Sequence, residues 1–139
     1  MNKLTSSILK IATVQGVLIG IYHIILPYQW NWHRYTADLP PMIEWSLYAL
    51  NFFFSVLLIL LSLVAFNEAR GLAKGNKKVP MALLACLVFW IVDGFYQLIF
   101  QVPAPASYAI IKPLFLGAAV LNVLLYALTI YRMRKEQVV

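Results

Sequence analysis

The sequence predicts an all-α, integral-membrane four-helix bundle with both termini in the cytoplasm. Three observations carry that prediction. Four long apolar runs follow one another within 139 residues. The chain is 63% hydrophobic and only 12% charged, whereas soluble domains are about half apolar and about a quarter charged. Nine of its eleven Lys and Arg residues fall in three places: the first ten residues, Arg70–Lys78, and the last eight. In water such a chain would leave much of its apolar surface exposed; a bilayer removes that cost. At this length one domain is expected, spanning 1–139.

A transmembrane helix needs about twenty mostly apolar residues. The first run covers 4–26 and ends at Pro27. Its start is basic, but Ile24-Ile25-Leu26-Pro27 offers no small-residue cleavage site, so it reads as a retained helix, not a signal peptide. Within it Gly16 and Gly20 form a GxxxG step that lets a second helix approach closely. Packing inside the bundle is favoured over packing between subunits. The second run covers 41–66 and the third 80–102, with Pro41 and Pro80 where a first helical turn tolerates a missing N–H. The fourth covers 108–131; Pro113, about one turn in, marks a start or a bend.

Orientation follows from the charges. Lys3 and Lys10 flank the first run, Arg70, Lys74, Lys77 and Lys78 lie between the second and third, and Arg132, Arg134 and Lys135 follow the fourth. The other two connections hold only Arg34 and Lys112. The positive-inside rule therefore puts both termini and the middle connection in the cytoplasm.

The net charge of +6 does not point to nucleic acid, because the cations cluster at the ends of apolar runs. The lone Cys86 excludes an intrachain disulfide framework and a Cys-rich metal site. His23 and His33, on opposite sides of Pro27, do not make a haem or zinc site. No phosphate loop, nucleophile elbow or matched pair of catalytic carboxylates is present. No metal is expected, and no cofactor is identified.

Chemistry concentrates elsewhere. Asp93 lies near the centre of the third run, where an ionised carboxylate costs about 2.5–3.5 kcal/mol to insert. Cys86, Trp90, Asp93, Gln97 and Gln101 recur at helical spacing and share one face. His23, Tyr48, Asn51, Asp93, Gln97 and Lys112 all fall in the outer half of their helices, Asn122 and Tyr126 lie deeper, and the inner half offers only Thr13, Gln15, Ser62 and Thr129. This asymmetry predicts a polar pocket opening outward. The aromatic segment Tyr28–Tyr35 is an interfacial belt or a cap over that pocket, and Glu44 and Lys112 are a possible rim pair.

Tyr22-His23 followed by Pro27 and Trp30, Leu50-Asn51 with an aromatic after it, Phe89-Trp90 with Gln97, and Phe115-Leu116-Gly117 resemble the pattern of small, uncharacterised four-helix bacterial inner-membrane proteins. The likeness spans most of the chain. It implies the fold and a bacterial inner-membrane location, and brings no activity.

The leading expectation is an outward-opening intramembrane site for a small amphiphile (lipid, quinone or isoprenoid), lined by His23, Tyr48, Asn51, Trp90, Asp93 and Gln97. If catalysis occurs there, Asp93 and His23 are the candidate acid–base pair. Two alternatives stand beside it: an accessory subunit of a larger membrane complex, docked through Gly16/Gly20 or Phe52-Phe53-Phe54, and a proton-coupled exporter working as a homo-oligomer.

Overall fold

A computed structural model describes residues 2–71, 79–100 and 110–136. The described residues are helical, with no strand among them: α1 Lys3–Gln29, α2 His33–Thr36, α3 Pro41–Gly71, α4 Met81–Ile99 and α5 Ile111–Glu136. α1, α3, α4 and α5 are long and apolar enough to cross a membrane. They pack as a ring in which α1 meets α3, α3 meets α4, α4 meets α5, and α5 closes on α1.

Neighbours run antiparallel, and polar contacts set their register. Asn51, early in α3, reaches His23, late in α1. Glu68, late in α3, accepts at 3.3 Å from the amide of Ala82 in the first turn of α4, an amide that the helix itself leaves unpaired. At the end bearing both termini, Asn2 caps α1 by accepting from the Thr5 amide at 2.9 Å. The Thr5 hydroxyl donates to Glu136 Oε1 and accepts from Arg132 Nε, and the Asn2 amide donates to Glu136 Oε2. These contacts join the first and last helices.

The GxxxG step is internal. Gly16 and Gly20 are buried against α3. A Cβ on Gly16 would collide with Ser62 Oγ, and one on Gly20 would lie 2.6 Å from Ile59 Cγ1 and 3.0 Å from the Ser55 carbonyl oxygen. Ser55 and Ser62 are small enough to admit α1 because each hydroxyl folds back onto its own helix, donating to the Asn51 and Leu58 carbonyls.

Burial is uneven along the bundle. Leu9, Ala12, Leu58, Ala65, Ala69, Leu83, Ile130 and Met133 fill the half that carries the termini. In the opposite half, residues 41–54 of α3, 91–99 of α4 and 111–118 of α5 contain no fully buried side chain.

The boundaries differ from expectation at defined places. α1 passes through Pro27 to Gln29 instead of ending there. α3 runs to Gly71 and α5 to Glu136, a turn or more past the apolar runs, because their last turns are polar but still helix-forming. Pro113 falls in the first turn of α5, so the helix starts around it. α2 was not anticipated; Asn31, with φ of 46°, turns the chain into it, a backbone position that Asn tolerates. The expected end of the third helix at 102 and start of the fourth at 108, with Lys74, Lys77, Lys78 and Gln101, lie outside the described residues.

Candidate functional site

Pro27 explains the local structure around His23. A proline inside a helix cannot donate to the carbonyl four residues back, and its ring crowds that carbonyl. Here the orphaned acceptor is His23 O. Asn51 Nδ2 donates to it at 2.7 Å from α3. In a low-dielectric interior an unpaired carbonyl costs several kcal/mol, so Asn51 lets α1 continue past the proline. Its amide nitrogen is thus committed to the backbone.

The His23 ring turns toward α3 and meets Phe54 edge-on at 5.1 Å between centroids. Phe54 lies 5.8 Å from Phe89 of α4, and Phe89 lies 5.1 Å from Trp90. This ladder of rings connects His23 with Trp90 across three helices. Phe54 therefore faces its own bundle, while Phe52 and Phe53 point away from it. Tyr48 is half-buried and packs edge-on against Trp32, 5.9 Å away, in the segment after α1.

Asp93 and Gln97 lie one and two turns beyond Trp90 on the same face of α4, and both are half-buried. Gln97 Nε2 donates to Asp93 Oδ2 at 2.7 Å. No hydrogen bond joins Asp93 to His23 among the described residues. The six expected site residues thus fall into three groups: His23 with Asn51, Tyr48 with Trp32, and Asp93 with Gln97 above Trp90. The ring ladder links the first and third.

At the rim, Glu44 does not meet Lys112. Glu44 Oε1 pairs with His33 Nδ1 at 2.8 Å and accepts from the Thr36 hydroxyl at 2.7 Å. The carboxylate lies within one helical turn of the α3 start and holds α2 down on it.

Among the deepest polar groups, Trp90 was an expected site residue, whereas Asn122 and Tyr126 were only placed deeper than the site. Trp90, Asn122 and Tyr126 are all buried, at 3%, 0% and 0% exposure. Among the described residues Trp90 Nε1 and Asn122 Oδ1 have no hydrogen-bond partner. The Tyr126 hydroxyl meets Ser62 and Cys86; the Ser62 hydroxyl donates to Leu58 O and the Cys86 thiol to Leu61 O, which leaves both able to accept from the phenol. Two other buried hydroxyls of the termini-bearing half are satisfied within their own helices: Thr13 donates to Leu9 O and Thr129 to Leu125 O. Helical spacing placed Asn122 and Tyr126 on one face, but the register of α5 against α4 is a tertiary fact.

Among the described residues no group of His, Cys, Asp and Glu could hold a metal ion. No protein-family model matches the chain, and neither curated proteins nor solved structures give a match.

Proposed function

We propose that the chain is a multi-pass protein of a bacterial inner membrane, with both termini cytoplasmic, and that it binds a small amphiphile in a site opening toward the outer leaflet. One observation carries this reading. The half of the bundle away from the termini buries no side chain fully on α3, α4 or α5, yet its inward face presents the Asp93–Gln97 pair. A half-buried carboxylate at that depth is expensive unless it serves a polar visitor. The ladder His23–Phe54–Phe89–Trp90 offers flat apolar surface for a lipid, quinone or isoprenoid body. Asp93 and Gln97 take its polar group; Tyr48 and Trp32 bound the mouth. Asn51 supports the site by holding α1 in place and does not touch the ligand.

The orientation rests on the basic residues, which gather at the ends of α1 and α5 that share the Thr5–Glu136 clasp. The accessory-subunit alternative loses one of its docking motifs, since Gly16 and Gly20 are covered by α3.

Native mass spectrometry of the protein released from membranes in mild detergent tests the proposal. A bound small molecule is expected on wild type and absent from Asp93→Asn, with helical content unchanged by circular dichroism. Equal ligand retention in both proteins, or loss of fold in Asp93→Asn, would return Asp93 to a purely structural role.

A further inference from the structure

The Asp93–Gln97 pair selects the charge of what it meets. Gln97 Nε2 donates to Asp93 Oδ2 at 2.7 Å. That contact orients the amide, turning its nitrogen onto the carboxylate. Two hydrogen-bonding oxygens remain, Asp93 Oδ1 and Gln97 Oε1, and both are acceptors when Asp93 is ionised. The two residues are one turn apart on one face of α4 and both are half-buried. The pair therefore presents hydrogen-bond acceptors and a negative charge.

No cation within the bundle answers that charge. Among the described residues no ion pair involves Asp93, whose hydrogen bond is the one to Gln97. On the facing helix Gly94 is level with Ala119, where an added Cβ would lie 3.7 Å from Ala119 Cβ. Lys112 is seven residues further along α5, about two turns toward the outer end. His23 turns its ring onto Phe54. A carboxylate at membrane depth usually has a partner of opposite charge or a functional load.

The surroundings favour the same sign. Phe89 precedes Asp93 by four residues, so the two are neighbours one turn apart on α4. Phe89 packs against Phe54 at 5.8 Å and against Trp90 at 5.1 Å between centroids. Aromatic faces attract cations through the ring quadrupole.

We propose that the site takes a cationic amphiphile, a protonated amine on an isoprenoid or alkyl body, whose N–H groups donate to Asp93 and Gln97 while the body lies along the ring ladder. The inference rests on the outward-opening site proposed above and narrows its ligands by charge. An anionic head is repelled by Asp93. A quinone or ether offers only acceptors to a face that already accepts. An alcohol donates once and brings no charge.

Three probes with one tail decide the matter: farnesylamine, farnesol and farnesyl methyl ether. Each is equilibrated with the full chain in phosphatidylcholine nanodiscs at neutral pH, and binding is read as the increment over empty discs. Farnesylamine should bind wild type at least about tenfold more tightly than farnesol or the ether, since charge-assisted hydrogen bonds are about twice as strong as neutral ones. Asp93→Asn should erase that preference and Asp93→Glu should keep it. Farnesol or the ether binding as tightly as the amine would overturn the cationic head and leave the amphiphile site standing. Binding of none of the three would remove both. An amine preference undiminished in Asp93→Asn would overturn the role given to Asp93, because the charge would then be read elsewhere. The wild-type ranking decides the charge class even if Asp93→Asn does not fold.

Discussion

Replacing Asn51 with Leu removes a donor at nearly constant volume. The Asn51 amide meets His23 O at 2.7 Å, and that carbonyl has no other intrahelical donor because Pro27 lacks an N–H. The expected cost is about 1–2 kcal/mol, the upper part of the range for interhelical hydrogen bonds in membranes and the usual cost of an unmet acceptor. Pro27→Ala changes the calculation. The substitution restores a backbone N–H that donates to His23 O within α1, so Asn51→Leu in that background should cost no more than about 0.5 kcal/mol, the residue of packing. The coupling between positions 27 and 51 is then about 1 kcal/mol, with Asn51→Leu less harmful once the proline is gone. Reversible unfolding of the four proteins of this cycle, by steric trapping in bicelles, measures it directly. Equal losses from Asn51→Leu in both backgrounds would refute the idea that Asn51 exists to serve the carbonyl stranded by Pro27.

Other perturbations address separate features. Gly20→Ala should cost about 1–3 kcal/mol through overpacking against Ile59 and the Ser55 carbonyl, whereas Gly117→Ala, which meets nothing within 4 Å, should stabilise α5 by about 0.5–1 kcal/mol; thermal unfolding in detergent compares them. Thr5→Val removes the hydroxyl between Glu136 and Arg132; a loss of about 1–2 kcal/mol is expected, with faster amide exchange confined to the first turns of α1 and the last turns of α5. Glu44→Ala should release α2, seen as faster amide exchange at residues 33–36, while α3 exchanges as before.

The four long helices were legible because an apolar run of sufficient length has few other options, and Pro41 marked the start of α3 correctly. Pro27 misled for an instructive reason. A proline ends a helix only if nothing else satisfies the carbonyl it strands, and the rescuing donor lies 28 positions away in the chain. The Glu44 partner was missed on similar grounds: α2 is a four-residue helix without apolar periodicity, so His33 and Thr36 were not expected to come back over the start of α3. The polar face of α4 was legible from spacing alone. That Asn122 and Tyr126 stand opposite it was not, because helical period fixes which residues share a face and says nothing about how two helices slide past each other. The uneven burial was equally hidden, since the apolar runs are similar along their whole length and only packing distinguishes their ends.

The clasp between α1 and α5 has a consequence for biosynthesis. Thr5 leaves the ribosome long before Arg132 and Glu136 do, so α1 can settle against α3 early but must wait for its other neighbour. Until then one flank of α1 is left to lipid or to the insertion machinery. Nascent chains halted just short of Arg132 should therefore be open, three-walled intermediates, protease-sensitive at the amino end.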